Sequence, residues 1–257
     1  MHQHHAPGQL RAVRSCRTSR LVTARAVARS LSPMAAIDAS PQFRNFCRDE
    51  DPEMADECVV TVAQAMSGDT RHSSLMIAKP EWHYPRWHAV ALNSQLSKPN
   101  IGMLYANPDC SAVAYAYRYP EEIGVKVDPP PAGFTDTAQW QRPEAAAAYK
   151  ELIDFMAAGK ELCLQRHGPF FYIGFLAVRP QSQGQGLGAR LLRQLLRRAD
   201  EAGRWSYLEA TNDGNVQLYQ RHGFSIRSQS SWAVPDACPG LEVRLIAMER
   251  PPNAARL

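Results

Sequence analysis

Three glycines at alternate positions, Gly184, Gly186 and Gly188, are the residues of this chain best suited to binding a phosphate group. They follow an apolar run, Phe170 to Val178, that predicts a buried strand, and they precede leucines spaced as on one side of a helix. A strand-to-helix turn presents backbone N–H groups at a helix N-terminus, where the helix dipole also favours an anion. Because glycine has no side chain, a phosphate can approach that backbone closely.

Two well-known phosphate-binding patterns fit these glycines poorly. A P-loop is excluded because no Gly-Lys-Ser/Thr follows the glycines, and the "AGKE" segment at Lys160 lacks the rest of the pattern. A dinucleotide fingerprint, G-x-G-x-x-A, does fit Gly184, Gly186 and Ala189, with Glu209 as its ribose-binding acid. However, fewer than fifty residues follow Glu209, and they do not alternate helix with strand as that fold requires. A dinucleotide-binding oxidoreductase therefore stays as the less favoured alternative.

A third pattern is Q-x-x-G-x-G, formed by Gln183, Gly186 and Gly188 directly after a strand ending in "LAV" and directly before an amphipathic helix. This arrangement resembles the pyrophosphate-binding motif of the GNAT superfamily of acetyl-CoA-dependent N-acetyltransferases. We therefore expect acetyl-CoA as the co-substrate.

A second block follows at the spacing that this superfamily uses. The segment "WSYLEATNDGNVQLYQRHGF", Trp205 to Phe224, predicts a strand, a polar cap and a short helix that carries Asn215 and Tyr219 one turn apart. The two blocks in this order make the resemblance specific, and they place the cofactor-binding core at about 168–226.

Other segments are similar to the remaining parts of the same fold: a first strand and helix in 43–69, a hairpin in 101–120 with its turn at 107–109, a helix after Pro143 and a final strand in 242–250. The resemblance implies a mixed α/β fold with a strongly twisted mixed sheet of about six to seven strands flanked by helices. We expect this domain to span 41–250, with 251–257 as a short tail. The added helix, the second block and the final strand resemble the puromycin N-acetyltransferase-like branch.

The resemblance also implies which residues hold the cofactor. They are Gln183, Gly184, Gln185, Gly186, Leu187 and Gly188 for the pyrophosphate, the strand residues Leu176 and Val178 for the pantetheine arm, and Asn215 and Tyr219 on the short helix. A backbone N–H of that strand would also stabilise the oxyanion of the tetrahedral intermediate.

Acetyl transfer to a primary amine needs a neutral amine that loses a proton and a leaving thiolate that gains one. Tyr219 is the candidate general acid, because a phenol with a pKa near 10 is protonated at neutral pH. Glu209, at the end of its predicted strand, is the candidate general base acting through water. Three alternatives remain open: Tyr219 as a packing residue, Asn215 as a surface residue, and Glu209 as a merely solvated or paired carboxylate. A protein that binds acyl-CoA without turnover is the alternative function.

The acceptor site is predicted from an aromatic segment, "PEWHYPRWH", in the region where the resemblance places the acceptor-side helix and loop. Its candidate residues are Trp82, His83, Tyr84, Trp87 and His88, with Tyr115 and Tyr117 on the hairpin. An aromatic wall would suit an apolar or aromatic small-molecule amine. Packing of the same residues in the core is the alternative.

The first 36 residues contain six arginines and no acid, which is the composition of an organellar transit peptide. We expect cleavage between about Arg25 and Ser40 and a location in the chloroplast stroma rather than the mitochondrial matrix. A basic arm that binds nucleic acid is the alternative. However, without those six arginines the 29 basic residues become 23 against 25 acids, so the body has no basic bias and no nucleic-acid partner is expected.

The rest of the composition excludes several other classes. Six cysteines without a C-x-x-C pair indicate neither a zinc site nor a disulfide framework, and the "HQHH" segment at His2 to His5 is typical of a disordered terminus. No metal is therefore expected. No apolar run approaches the eighteen or so residues of a membrane-spanning helix, so we expect a soluble protein, as a monomer or a homodimer.

Overall fold

The structure, a computed structural model of the 257-residue protein, describes residues 43–46, 48–69, 73, 75, 77, 79, 81, 83–96, 104–122, 143–233 and 242–253. All described residues belong to one compact unit, 40–257. The predicted leader at 1–36, its cleavage region and Trp82 lie outside the described residues.

The described chain contains both helices and strands. In order they are β1 (Arg44–Phe46), α1 (Pro52–Ser67), α2 (His83–Leu96), β2 (Leu104–Ala106), β3 (Ala112–Tyr119), α3 (Ala146–His167), β4 (Phe170–Val178), α4 (Leu187–Glu201), β5 (Ser206–Ala210), α5 (Asp213–Arg221), β6 (Ser225–Ala233) and β7 (Glu242–Arg250). No helix in this part of the chain is long and apolar enough to cross a membrane.

Local sequence signals explain where two of these helices begin. The Asp51 side chain accepts a hydrogen bond from the Met54 backbone N–H at 3.1 Å, and Pro52 occupies the first turn of α1, where its missing N–H costs nothing. Asn212 caps α5 in the same way, by accepting a hydrogen bond from the Asn215 backbone N–H at 2.9 Å. These caps fix the two helix N-termini.

The seven strands form one mixed sheet in the order β1-β2-β3-β4-β5-β7-β6. This confirms the predicted mixed α/β fold and the strand number. The neighbours β4 and β5 are parallel, whereas all other pairs are antiparallel. The parallel pairing is short, because only Phe171 opposite Ser206 and Tyr172 opposite Tyr207 are in register. Beyond Tyr172, β4 continues to Val178 without pairing to β5, so the two strands part and open a cleft within the sheet.

Helices cover both faces of the sheet. On one face, the leucines of α4 form a core with Phe171 and Ile173 of β4. On the other face, Tyr172 of β4 and Tyr207 of β5 belong to a core that includes residues of α1, and α3 contacts β4, β5, β6 and β7. Because successive residues of a strand point to opposite faces, β4 contributes side chains to both cores.

The alternation along β4 is interrupted by a β-bulge. Ile173 pairs with Ala116 and Phe175 with Tyr115, so Gly174 is an extra residue without an opposite partner. A bulge increases the local twist and bends the strand. It lies next to the point where β4 and β5 part, and it therefore contributes to the opening of the cleft.

Candidate active site

The glycine turn between β4 and α4 has a backbone that only glycine adopts readily. Gly184 and Gly186 have φ angles of 77° and 74°, and Gly186 is the N-cap of α4. A Cβ added at either glycine would meet no atom within 4 Å, so the left-handed backbone, rather than crowding, accounts for glycine here. The first hydrogen bond of α4 runs from the Arg190 N–H to the Gly186 carbonyl oxygen, at 3.0 Å. The backbone N–H groups that precede Arg190 therefore lie at the N-terminus of the helix, where they have no partner within the helix.

The turn is closed by side chains at its edges. The Gln183 side-chain amide donates to the Val178 carbonyl oxygen at 3.1 Å, so this side chain fixes the loop and leaves the backbone to face the cleft. A Cβ at Gly188 would lie 3.4 Å from a methyl group of Val178, which shows how closely α4 approaches the strand. Leu187 is buried in the core under the turn, whereas Gln185 is exposed and does not line the cleft.

A cleft of about 1080 Å³ lies where β4 and β5 part. On the α4 side of the sheet, the predicted residues that line it are Leu176, Val178, Gln183, Gly184, Gly186, Leu187, Gly188, Asn215 and Tyr219. The structure therefore brings together every predicted cofactor residue except Gln185.

Tyr219 lies in the wall of this cleft on α5. It is 7% exposed, and its ring packs against Phe224 with the ring centres 5.8 Å apart. Burial raises the pKa of Tyr219 to about 12, because the phenolate would lose its hydration. The phenol is thus protonated at neutral pH and can donate a proton into the cleft. Asn215, one turn earlier, is half-buried in the same wall.

Glu209 reaches the cleft from the opposite face of the sheet. Its side chain is 4% exposed, and the Tyr172 hydroxyl donates to its Oε2 at 2.8 Å. Its Oε1 accepts no hydrogen bond from any described residue, although Lys160 Nζ lies 3.9 Å away. Burial raises the pKa of Glu209, and the charge of Lys160 opposes that rise. Glu209 is therefore a buried, charge-paired carboxylate with one oxygen free to accept a proton.

Lys160, on α3, was not predicted as a site residue. Its ammonium lies beside Glu209 and 4.9 Å from the centre of the Tyr172 ring, and burial lowers its pKa. One sequence signal was available next to it. Gly159 stands inside a 22-residue helix, where glycine costs about 1 kcal/mol relative to alanine. A Cβ there would lie 2.1 Å from the Tyr207 hydroxyl oxygen, so the glycine marks the close approach of α3 to the sheet beside Lys160.

Aromatic rings line the cleft on the face that carries Glu209. Successive rings contact one another from Trp87 to Tyr172, with ring centres 6.4, 6.1, 6.1 and 5.0 Å apart along the series Trp87, Phe175, Tyr115, Tyr117 and Tyr172. All five rings line the cleft. This series is called the aromatic wall below.

The predicted aromatic segment contributes less to the cleft than its composition indicated. Of its described aromatic and histidine residues, Trp87 lines the cleft, whereas His83 is buried outside it. Tyr84 is 39% exposed and contacts His88 with ring centres 6.0 Å apart, away from the cleft lining. The helical geometry of α2 explains this, because only one side of the helix can face the cleft. Arg86, which was not predicted, lies beside Trp87 in the lining.

No group of three or more His, Cys, Asp or Glu side chains within the described ranges lies close enough together to hold a metal ion.

Comparisons with known proteins were made for the sequence and for the fold. Residues 111–224 match the model of the acetyltransferase (GNAT) family. No curated protein sequence matches the chain. Among solved structures, arylalkylamine N-acetyltransferase 2 from Aedes aegypti is similar, with 15% identity, 82% of this chain and 99% of that chain covered, and a TM-score of 0.55.

A second similar structure is the Drosophila melanogaster polyamine N-acetyltransferase that forms N-acetylagmatine. It is 15% identical, covers 81% of this chain and 98% of that chain, and has a TM-score of 0.50. At these identities the likeness shows the fold, which is the GNAT fold. The alternative of a dinucleotide-binding oxidoreductase is wrong. That fold has a mostly parallel, doubly wound sheet, whereas the described sheet contains one parallel pair of strands.

Proposed function

We propose that this protein is an N-acetyltransferase that moves an acetyl group from acetyl-CoA to the primary amine of a small molecule. One observation carries the proposal: the cleft between the parted strands β4 and β5 joins the glycine turn and Tyr219 on one face of the sheet to Glu209 on the other. An anion-binding turn, a proton donor and a proton acceptor thus line one cavity, as direct attack of an amine on a thioester requires.

The glycine turn fits the pyrophosphate of acetyl-CoA. Its free N–H groups lie at the positive end of α4, and the space above Gly184 and Gly186 is open. Gln183 through Gly188 would hold the pyrophosphate, with Gln185 contributing its backbone alone. The β4 edge from Leu176 to Val178 is not paired with β5, so its backbone groups would bind the pantetheine arm.

Proton transfer is assigned to the two predicted groups. The attacking amine forms a bond to the thioester carbonyl carbon and gives up a proton, which Glu209 accepts at Oε1 through water. A carboxylate with a raised pKa is a better base near neutral pH than an ordinary one. When the carbon–sulfur bond breaks, Tyr219 donates its phenolic proton to the departing thiolate. No covalent enzyme intermediate is needed.

The oxyanion that forms during the attack would be stabilised by a backbone N–H on the unpaired part of β4. One well-placed donor of this kind is worth roughly 3 kcal/mol. The bulge at Gly174 supports this role, because it turns the following backbone out of the regular ladder at the cleft.

The test of the cofactor site is Gly186→Val, with Gly203→Val as its matched control. Both glycines have a left-handed φ, 74° and 62°, and no atom lies within 4 Å of a Cβ at either position, so the backbone strain of the two variants is similar. Only Gly186 lies in the cleft lining. In calorimetric titrations with acetyl-CoA, we expect Gly186→Val to bind at least tenfold more weakly and Gly203→Val to bind like the wild type.

Equal losses in the two variants would contradict the assignment, because they would show that strain rather than position weakens binding. Turnover separates the proposal from its alternative. If the protein binds acetyl-CoA but consumes none of it in the presence of a panel of primary amines, it is a non-catalytic acyl-CoA-binding protein.

We also propose that residues 1–36 are a transit peptide, that the mature protein begins between Arg25 and Ser40, and that it works in the chloroplast as a monomer or a homodimer. The arginine-rich, acid-free composition supports the leader. The helix α3, placed between β3 and β4, supports the puromycin N-acetyltransferase-like branch. N-terminal sequencing of protein from the organelle is the test, and a retained Met1–Ala36 segment would contradict it.

A further inference from the structure

One face of α3 forms a long side of the cleft. Five of its residues line the cavity at positions i, i+3, i+4, i+7 and i+11: Tyr149, Leu152, Ile153, Met156 and Lys160. Eleven residues make three helical turns, so Tyr149 and Lys160 share this face and lie about 16 Å apart along the helix axis. The cleft therefore extends from the Lys160 end, where Glu209 lies, to a distant end at Tyr149. The α3 residues that line the cleft between these two ends, Leu152, Ile153 and Met156, are apolar.

Arg86 lies at this distant end. It lines the cleft beside Trp87, and its guanidinium interacts with the Tyr149 side chain. Although Arg86 is only 7% exposed, its Nε has no hydrogen-bond partner, and no carboxylate among the described residues forms an ion pair with it. Burial lowers its pKa, but an arginine keeps its charge at neutral pH. A buried cation without a counter-ion is costly, and a bound anion would offset that cost.

The described cleft lining contains two carboxylates, and both already have partners within the protein. Among the described lining residues they are Glu209, which faces Lys160, and Asp69, which accepts a hydrogen bond from Thr211 at 3.2 Å. A polyamine would bring its additional positive charge toward the buried Arg86. The charge distribution thus disfavours a polycation and favours an acceptor with a negative group.

We propose that the acceptor is a small primary amine that carries a carboxylate at the opposite end of an apolar or aromatic body. The amine lies near Glu209, the body lies along the aromatic wall and the apolar face of α3, and the carboxylate pairs with Arg86. An α-amino acid does not fit, because its amine and carboxylate are too close together to reach both ends. This inference rests on the proposed function, and it selects the substrate class of the same site.

The experiment compares three amines of equal length: octylamine, ω-aminooctanoate and diaminooctane. We expect kcat/KM for ω-aminooctanoate to exceed that for octylamine by tenfold or more, because a buried guanidinium pairs strongly with a carboxylate, and diaminooctane to be the poorest. A series from ω-aminobutyrate to ω-aminoundecanoate is expected to show an optimum length, with the shortest member close to inactive.

The variant Arg86→Met keeps the apolar stem and removes the charge. We expect it to lose the preference for ω-aminooctanoate while it still acetylates octylamine. Its melting temperature should be unchanged or higher, because a buried charge without a counter-ion has been removed. The control Arg197→Met removes an exposed charge from α4 and should keep the wild-type preference.

Two results would overturn the inference. If the wild type has the same kcat/KM for octylamine as for ω-aminooctanoate, the site recognises no anion, and the proposed acetyltransferase function still stands. Weaker acetyl-CoA binding in Arg86→Met, with an unchanged preference among amines, would assign Arg86 to the cofactor. If the wild type consumes acetyl-CoA neither with these amines nor with a wider panel of primary amines, the proposed function itself fails.

Discussion

The substitution Tyr219→Phe separates catalysis from packing. The ring of Tyr219 is buried and packs against Phe224, and phenylalanine preserves that packing. The contact found for the Tyr219 side chain is the packing of its ring on Phe224, so the variant breaks no hydrogen bond among the described residues. We therefore expect the free energy of unfolding to change by less than about 0.5 kcal/mol.

The expected loss of activity is much larger than the change in stability. A positioned general acid contributes roughly 10²–10⁴-fold to the rate, which corresponds to about 3–5 kcal/mol. If the hydroxyl only formed an uncharged hydrogen bond with the cofactor, its removal would cost about 1 kcal/mol and would mainly raise KM for acetyl-CoA. The two roles therefore differ in size and in the kinetic parameter that they change.

The assay is steady-state kinetics of Tyr219→Phe with the best amine, under conditions in which the chemical step limits the rate, together with acetyl-CoA affinity and melting temperature. Because the pKa of Tyr219 is raised to about 12, the phenol is protonated throughout the accessible pH range, and the wild type should show no alkaline loss of activity from this group below about pH 10. A fall in kcat of tenfold or less would refute the reasoning and identify water or the amine as the proton source.

Three further predictions concern the opposite face of the cleft. Lys160→Met removes the charge that opposes the raised pKa of Glu209, so the acidic limb of the pH profile of kcat/KM should move to higher pH; an unmoved limb would show that Glu209 is not the base. Glu209→Gln should lower kcat about 10²-fold or more. The wild type loses stability as pH rises through the raised pKa of Glu209, whereas glutamine does not titrate, so the melting temperature of Glu209→Gln minus that of the wild type should increase with pH. A decrease of this difference with pH, measured by calorimetry, would contradict the prediction. Gly159→Ala, which stabilises an ordinary helix, should here destabilise by about 1–3 kcal/mol in urea unfolding, because its Cβ would meet the Tyr207 hydroxyl. The loss should shrink in a Tyr207→Phe background.

Segments with strong local patterns could be predicted from the sequence. β4 occupies Phe170–Val178, the range of its apolar run, and α4 begins at Leu187, directly after the glycines, because a strand period and a helix period meet there. By contrast, β6 at Ser225–Ala233 was not predicted. Most of its residues are exposed, so it has no alternating apolar pattern, and it is a strand because it pairs with β7 at the sheet edge.

On the α4 face, most of the residues that line the cleft could be singled out from the sequence. On the opposite face, Trp87, Tyr115, Tyr117 and Glu209 were singled out, whereas Lys160 and Arg86 were not. The glycine turn, Asn215 and Tyr219 belong to two continuous segments whose local spacing carries the signal. Lys160 and Arg86 come from α3 and α2, far apart in the chain, and their meeting in one cleft depends on how these helices pack on the sheet. A lysine and an arginine on helices look like ordinary solvent-exposed cations in the sequence.

The sheet divides the proposed site into two parts made by different segments of the chain. The α4 face, built from 170–219, would hold the cofactor, whereas the face covered by α1, α2 and α3 would hold the amine. The two parts meet only where β4 and β5 separate after Tyr172. Because α3 contributes both Lys160 beside the carboxylate and the apolar face toward Arg86, this one helix would govern both the pKa of the base and the choice of amine. Substitutions on the apolar face of α3 should therefore change KM for the amine and leave KM for acetyl-CoA unchanged, and substitutions in the glycine turn should do the reverse.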